Sequence, residues 1–273
     1  MHTDFMADLI QRFKASAAPH FVTLSCMQAL ADGTEKTLIF SGFIAEVAGA
    51  WCYVTAGHVL RALDKAVDAG STFTVWRLGD QTAAQGRFDD TAIPFEFARE
   101  EWLVIESEDQ GLDYAVIGLH DHFRRQLEAG GVVPLERSSW ALPSPSEDAQ
   151  WVLMGVPSES ITYDGVTNLH ARLVIVRLFP VAAPAIAGAR ANNQIFARLI
   201  DGSEEVVADA DGLSGGPVFA VFPYNGVWKY AVIGVQSGWY RQQRLVAFCP
   251  WTTFAAELES AIESARKELQ NRE

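Results

Sequence analysis

Residues 211–217 read Asp211-Gly212-Leu213-Ser214-Gly215-Gly216-Pro217, and the apolar run Pro217–Phe222 follows at once. Three glycines in the five positions 212–216 describe a tight turn, because glycine adopts a left-handed backbone without steric cost. A serine inside such a turn stands on backbone whose amides can converge on one point. Downstream, Asn225-Gly226 separates Pro217–Phe222 from Val227–Val235. That dipeptide between two apolar runs is the strongest short-range signal of a β-hairpin.

The same alternation of short β-rich runs and turn residues extends outward from this hairpin. Upstream lie Trp151–Val156, Ile161–Tyr163, Val166–Leu169 and Leu173–Phe179, with Asp164-Gly165 marking another hairpin. Earlier still come Phe21–Leu30 and Thr37–Val47 around Asp32-Gly33, then Trp51–Thr55, Thr72–Leu78, Trp102–Glu106 and Tyr114–Leu119. Pro134–Ser146, ending Leu-Pro-Ser-Pro-Ser, is a poor strand and a good linker, since proline lacks the amide a sheet needs. The Ala-rich stretch Val181–Asn193 has no period and reads as a long loop. Helices close both ends, with Phe5, Leu9 and Phe13 on one face of the first and Phe254, Leu258, Ile262, Ala265 and Leu269 on one face of the last. The expected division is a helix over 1–18, a β unit over 19–133, a linker over 134–150, a β unit over 151–251 and a helix over 252–273. Evenly spaced short strands point to an all-β sandwich or barrel class, and two β halves across a linker are consistent with a pair of barrels.

Composition narrows the function classes. Over 273 residues, 21 Lys+Arg against 34 Asp+Glu leave a net charge of −13, which offers no footprint for nucleic acid or an anionic membrane. No apolar run is long enough for a membrane span. The first residues carry Asp4 and Asp8 and no apolar block after a basic start, so they do not read as a secretory signal. Cys26, Cys52 and Cys249 are too few, and odd in number, for a disulfide framework. They read as reduced, buried thiols in a cytoplasmic protein.

Chemistry concentrates in three segments: Val54-Thr55-Ala56-Gly57-His58-Val59 at the end of a strand, Leu112-Asp113-Tyr114-Ala115-Val116-Ile117 at the start of one, and the turn 211–217. A serine hydroxyl needs a base within reach. Histidine can take and return the proton near neutral pH. A carboxylate holds the imidazole in one tautomer. His58, Asp113 and Ser214 supply these three types, and the amides of Gly212 and Ser214 are candidates for an oxyanion hole. Taken singly, each has a plainer reading: a turn serine, a core or surface histidine, a turn-capping aspartate. His120-Asp121-His122 lacks a third ligand at metal spacing and reads as a solvated loop, and His20 and His170 read as structural. No lysine or helix follows the glycines, so a phosphate-binding loop does not fit.

Thr55-Ala56-Gly57-His58, Asp113-Tyr114-Ala115-Val116-Ile117 and Gly212-Leu213-Ser214-Gly215-Gly216-Pro217 resemble the three signatures of the chymotrypsin/trypsin-like serine peptidases. They stand in family order, with 55 residues from His58 to Asp113 and 101 from Asp113 to Ser214. Trp151–Pro157, Ile233–Gly238 and the closing helix also look like family features, so the resemblance spans roughly residues 20–255. It implies two six-stranded antiparallel barrels, a Ser-His-Asp triad acting through an acyl-enzyme on protein or peptide substrates, and no cofactor or metal. It also implies a substrate pocket walled by Ala208, Asp209, Asp211, Gln236, Ser237 and Gly238, with Ala208 at the floor where trypsins have Asp. Asp209 and Asp211 favour Arg or Lys before the cut. If Arg241 and Arg244 neutralise them, small or aliphatic residues are favoured instead.

Two departures matter. Val59 stands where vertebrate members have a disulfide cysteine. Leu213 stands where secreted zymogens carry the Asp that pairs with a new N-terminus. Both look more like HtrA-type or viral branches, although no PDZ-like domain follows Thr252. Control of activity is then expected from loop ordering, with Val181–Asn193 as the candidate, or from a regulatory partner protein. Two rivals remain: a vestigial fold that binds peptides or proteins, and an esterase working through the same three residues.

Overall fold

The computed structural model describes residues 2–80, 92–142, 146–163, 169–200, 207 and 209–271. The amino-terminal half follows the apolar runs, but one of them breaks. The stretch 37–47 divides into β2 (Glu35–Phe40) and β3 (Phe43–Val47) at Ser41-Gly42. On one side of this break, β2 joins β1 (Val22–Ala29), β5 (Thr72–Asp80) and β6 (Ala92–Pro94) in the order β2-β1-β5-β6. On the other, β3 joins β4 (Ala50–Thr55), β7 (Leu103–Ser107) and β8 (Leu112–Gly118) in the order β3-β4-β8-β7. Where a second closed barrel was expected, the described residues form these two four-stranded sheets. A bridge between Phe21 and Phe43 and a hydrogen bond from the Val22 amide to Gly42 O (3.1 Å) connect them.

Two helices in this half were not read from the sequence. α2 (Gly57–Asp68) begins directly after β4 and buries Val59, Leu60 and Leu63. That one-and-four spacing is helical, but the β-rich segment before it masked the change of period. α3 (Asp121–Ala129) starts where a solvated loop was expected around His120–His122. Leu127 is its one buried residue, too little to register as an apolar stripe. Both histidines remain exposed, and among the described residues no group of His, Cys, Asp and Glu is arranged to hold a metal ion.

The carboxy-terminal half closes on itself. β9 (Gln150–Gly155), β12 (Val174–Val181), β13 (Ile195–Leu199), β14 (Pro217–Tyr224), β15 (Val227–Tyr240) and β16 (Leu245–Pro250) form a closed barrel in the order β12-β13-β16-β15-β14-β9. All its pairings are antiparallel. Asn225 and Gly226 take φ of 48° and 77° between β14 and β15, the left-handed pair a two-residue hairpin requires. β13 and β16 were not anticipated. The runs read at 161–163 and 166–169 lie outside the barrel, where β10 (Thr162–Tyr163) pairs with β11 (Leu169–His170). The Asp164-Gly165 turn falls outside the described residues. The Ala-rich loop contains 3-10 turns over Ala185–Asn192.

Helices α1 (His2–Ala17) and α4 (Trp251–Gln270) weld the two halves together. Phe13 of α1 packs edge-on against Phe219 and Tyr230 of the barrel at 5.4 and 5.5 Å. His20 donates from Nδ1 to Val133 O (2.6 Å), and its Nε2 lies 2.9 Å from the Tyr230 hydroxyl. Burial holds its pKa below the usual histidine value. Trp251, wholly buried, meets Phe43 from the amino-terminal sheets at 5.3 Å and Trp140 at 5.8 Å. The three cysteines are free and buried, and burial pushes each thiol up to about 12. They remain protonated and apolar at neutral pH.

Trp251→Ala removes the side chain that both halves share. It is expected to cost about 3–5 kcal/mol of stability in equilibrium denaturation, as large aromatic truncations do. A loss below about 1 kcal/mol would contradict the packing described.

Candidate active site

β4 ends at Thr55, and the chain turns at Ala56 into α2. The first amides of a helix lack internal partners, and Ala56, at the cap position, supplies no side-chain acceptor. The acceptor comes from β8, whose pairing with β4 sets Ala115 opposite Thr55. Two residues earlier, Asp113 projects its carboxylate at the start of α2. Its Oδ1 accepts the His58 amide at 2.7 Å, and its Oδ2 accepts the His58 ring at Nδ1 at 2.6 Å. One carboxylate therefore caps the helix, where negative charge complements the dipole, and orients the imidazole. A carboxylate only accepts, so Nδ1 carries the proton and the neutral ring presents a lone pair at Nε2. Asp113 is 6% exposed, so water competes little for it. One turn on, Arg61 pairs with Glu106 (2.8 Å) and Glu108 (3.1 Å), tying α2 to β7 and its following turn.

The turn 211–216 comes from the other half of the chain. Gly212 and Gly215 have φ of 89° and 86°, values that a residue with a Cβ rarely adopts. A Cβ on Gly215 would lie 2.0 Å from Thr55 Oγ1, 2.4 Å from Ser41 O and 2.9 Å from the Ala56 nitrogen. The residue after Ser214 is therefore pressed against the strand end that leads to His58. Ser214 itself is half-buried, and among the described residues its hydroxyl makes no hydrogen bond to the His58 ring. Hydrogen bonds of this kind are often long in unliganded proteins and tighten when substrate binds.

The amides of the turn sort into two groups. Leu213 donates to Ala210 O (3.1 Å), Gly215 to Gln236 O (2.8 Å) and Gly216 to Leu213 O (2.9 Å). The Gly212 and Ser214 amides donate to no described acceptor. They are the two the sequence singled out as anion-binding donors.

Ser41, at the break between β2 and β3, was not recognised as part of the site. It is fully buried. Its hydroxyl donates to Gly212 O (2.7 Å) and accepts from the Val156 amide (2.9 Å), while its carbonyl accepts the Thr55 hydroxyl (2.9 Å). It thus links the serine turn, the end of β9 and the strand before His58. The break in the apolar run at Ser41-Gly42 was the available signal, but the contacts that give it meaning are more than 100 residues away in sequence.

Of the expected pocket residues, Gln236, Ser237 and Gly238 lie on β15. Ala208 lies outside the described residues. Asp209 and Asp211 both pair with Arg241, the latter at 3.2 Å. Asn193, at the end of the Ala-rich loop, donates to Gln110 O (2.8 Å), three residues before Asp113.

No family model matches the chain, and a search of curated proteins finds no match. Among solved structures, it is similar to the Rv3671c protease of M. tuberculosis in its active form, at 19% identity over 89% of this chain and 81% of that one, with a TM-score of 0.42. It is similar to the thermostable serine protease AL20 from an extremophilic microorganism, at 15% identity over 89% and 96%, with a TM-score of 0.45. The protease Anisep from Arthrobacter nicotinovorans gives 14% identity over 85% and 90%, with a TM-score of 0.45.

Ser41→Ala leaves the Val156 amide and the Gly212 carbonyl buried without their shared partner. The expected result is a loss of about 1–3 kcal/mol in denaturant unfolding with the fold retained. Unchanged stability would show that the hydroxyl does not hold the turn.

Proposed function

We propose that this protein is a serine endopeptidase in which Ser214 is the nucleophile, His58 the general base and then acid, and Asp113 the residue that orients His58. The observation that carries this reading is the double hydrogen bond from His58 to Asp113 beside the glycine turn. It leaves Nε2 as the one ring nitrogen able to take a proton. In the proposed reaction Nε2 removes the Ser214 proton as Oγ attacks the scissile carbonyl, and His58 returns that proton to the leaving amine. Water, activated by the same nitrogen, then releases the acyl group. The amides of Gly212 and Ser214 would receive the oxyanion. Such donors are worth about 3–4 kcal/mol each when they meet charge that develops in the transition state.

The proposal is tested by hydrolysis of casein or a peptide library. Ser214→Ala is expected to remove turnover while leaving the melting temperature near that of the parent, because the change is small and lies in a half-buried turn. Asp113→Asn keeps the shape but favours the wrong tautomer, and is expected to cost about 10⁴-fold in kcat. Undiminished cleavage by Ser214→Ala would reject the assignment, and turnover confined to nitrophenyl esters would favour an esterase.

We further propose that the chain needs no amino-terminal processing to act. Leu213, next to the nucleophile, is fully buried among the barrel's apolar side chains, where a newly made ammonium would find no carboxylate from that position. Leu9, Phe13 and Ala17 are themselves part of the core. Full-length protein is expected to be as active as any trimmed form. Activity that appears only after a cut within residues 1–30 would overturn this.

A further inference from the structure

Residues 209–213 lead into Ser214, and β15 runs beside the serine turn. The turn and β15 are joined by the Gly215 amide to Gln236 O (2.8 Å) and the Gln236 amide to Gly216 O (2.9 Å). On β15, Gln236 lies opposite Phe248 and Trp239 opposite Val246. Residues directly opposite share a sheet face, and Phe248 and Val246 belong to the barrel interior with Val207, Ala210 and Leu213. Gln236 and Trp239 therefore face that interior. Gln236 is wholly buried; its side-chain amide donates to Gly238 O (2.9 Å), and among the described residues its Oε1 has no partner. The approach to Ser214 thus carries the Asp209 and Asp211 carboxylates, and β15 carries a buried acceptor. Both suit a cation.

That cation is already present. Arg241, the first residue after β15, pairs with Asp209 and with Asp211 (3.2 Å). The Asp209 carboxylate also accepts the Asp211 amide (3.3 Å), which holds it toward the same end.

We propose that the substrate side chain before the cut sits beside Asp209, Asp211 and the end of β15, and that Arg241 determines its identity: Arg241 neutralises both carboxylates, so peptides are cut after small or aliphatic residues and not after Arg or Lys. This rests on the reading of Ser214, His58 and Asp113 as a protease site. A substrate cation must displace one tethered within reach, whose effective concentration is high. An apolar side chain leaves the three charges paired. Without Arg241, two carboxylates stand unneutralised, and the preference inverts.

Arg241 is 66% exposed in its side chain, so its removal leaves the core intact. The test compares cleavage of a peptide library by the full-length parent, Arg241→Ala, and the double variant Arg241→Ala with Asp209→Asn, with melting temperatures to confirm folding. The parent is expected to cut after small and aliphatic residues. Arg241→Ala is expected to raise the ratio of cleavage after Arg or Lys to cleavage after Ala by about tenfold or more, and the double variant to return most of that gain. A parent that already prefers Arg or Lys, or an unchanged ratio in Arg241→Ala, overturns the proposal while leaving the protease reading intact. A parent that cuts no peptide overturns both.

Discussion

The site depends on the missing side chain at Gly215. The serine turn belongs to the barrel, and the histidine follows a strand of the amino-terminal sheets. They meet because the backbone of one comes closer to the backbone of the other than any Cβ allows, with the ideal Cβ position 2.4 Å from Ser41 O and 2.9 Å from the Ala56 nitrogen. The left-handed φ of 86° at the same residue turns the chain there. Ser41 reinforces the approach with its hydroxyl and its carbonyl, so the gap between the two halves is bridged by polar bonds where it is too narrow for packing. Trp251, Phe13 and His20 hold the halves together from the other directions, so the site inherits its rigidity from a core it does not itself contain.

Asp113 shows how little extra structure the chemistry needs. A helix start already requires an acceptor, and a strand end already offers a side chain at the right height. Placing a carboxylate there satisfies the His58 amide and, with its other oxygen, selects the ring tautomer. The same economy governs the serine turn, where Leu213, Gly215 and Gly216 use their amides to shape the loop and, among the described residues, Gly212 and Ser214 keep theirs unengaged.

What the sequence revealed followed from how locally each feature is encoded. The Asn225-Gly226 hairpin, the closing helix and the three chemical segments are set by neighbours in the chain, and all were legible. α2 was missed because a β-branched strand ran straight into it, and α3 because it buries so little. β13 and β16 were missed because barrel strands are defined by partners far along the chain. Thr37–Val47 looked continuous because only a contact with the distant turn at Gly212 explains a buried serine in its middle. The pocket was the least legible part. The sequence left open whether Arg241 and Arg244 neutralise Asp209 and Asp211, because the pairing of Arg241 with both is set by how β15 ends, which no local pattern records.

The most direct test of the central claim is labelling with a fluorophosphonate, which reacts only with an activated serine, followed by mass spectrometry of the digested adduct. A single adduct on Ser214, lost in His58→Ala, is the predicted result. No labelling of the folded parent, or an adduct on another residue, would contradict the account.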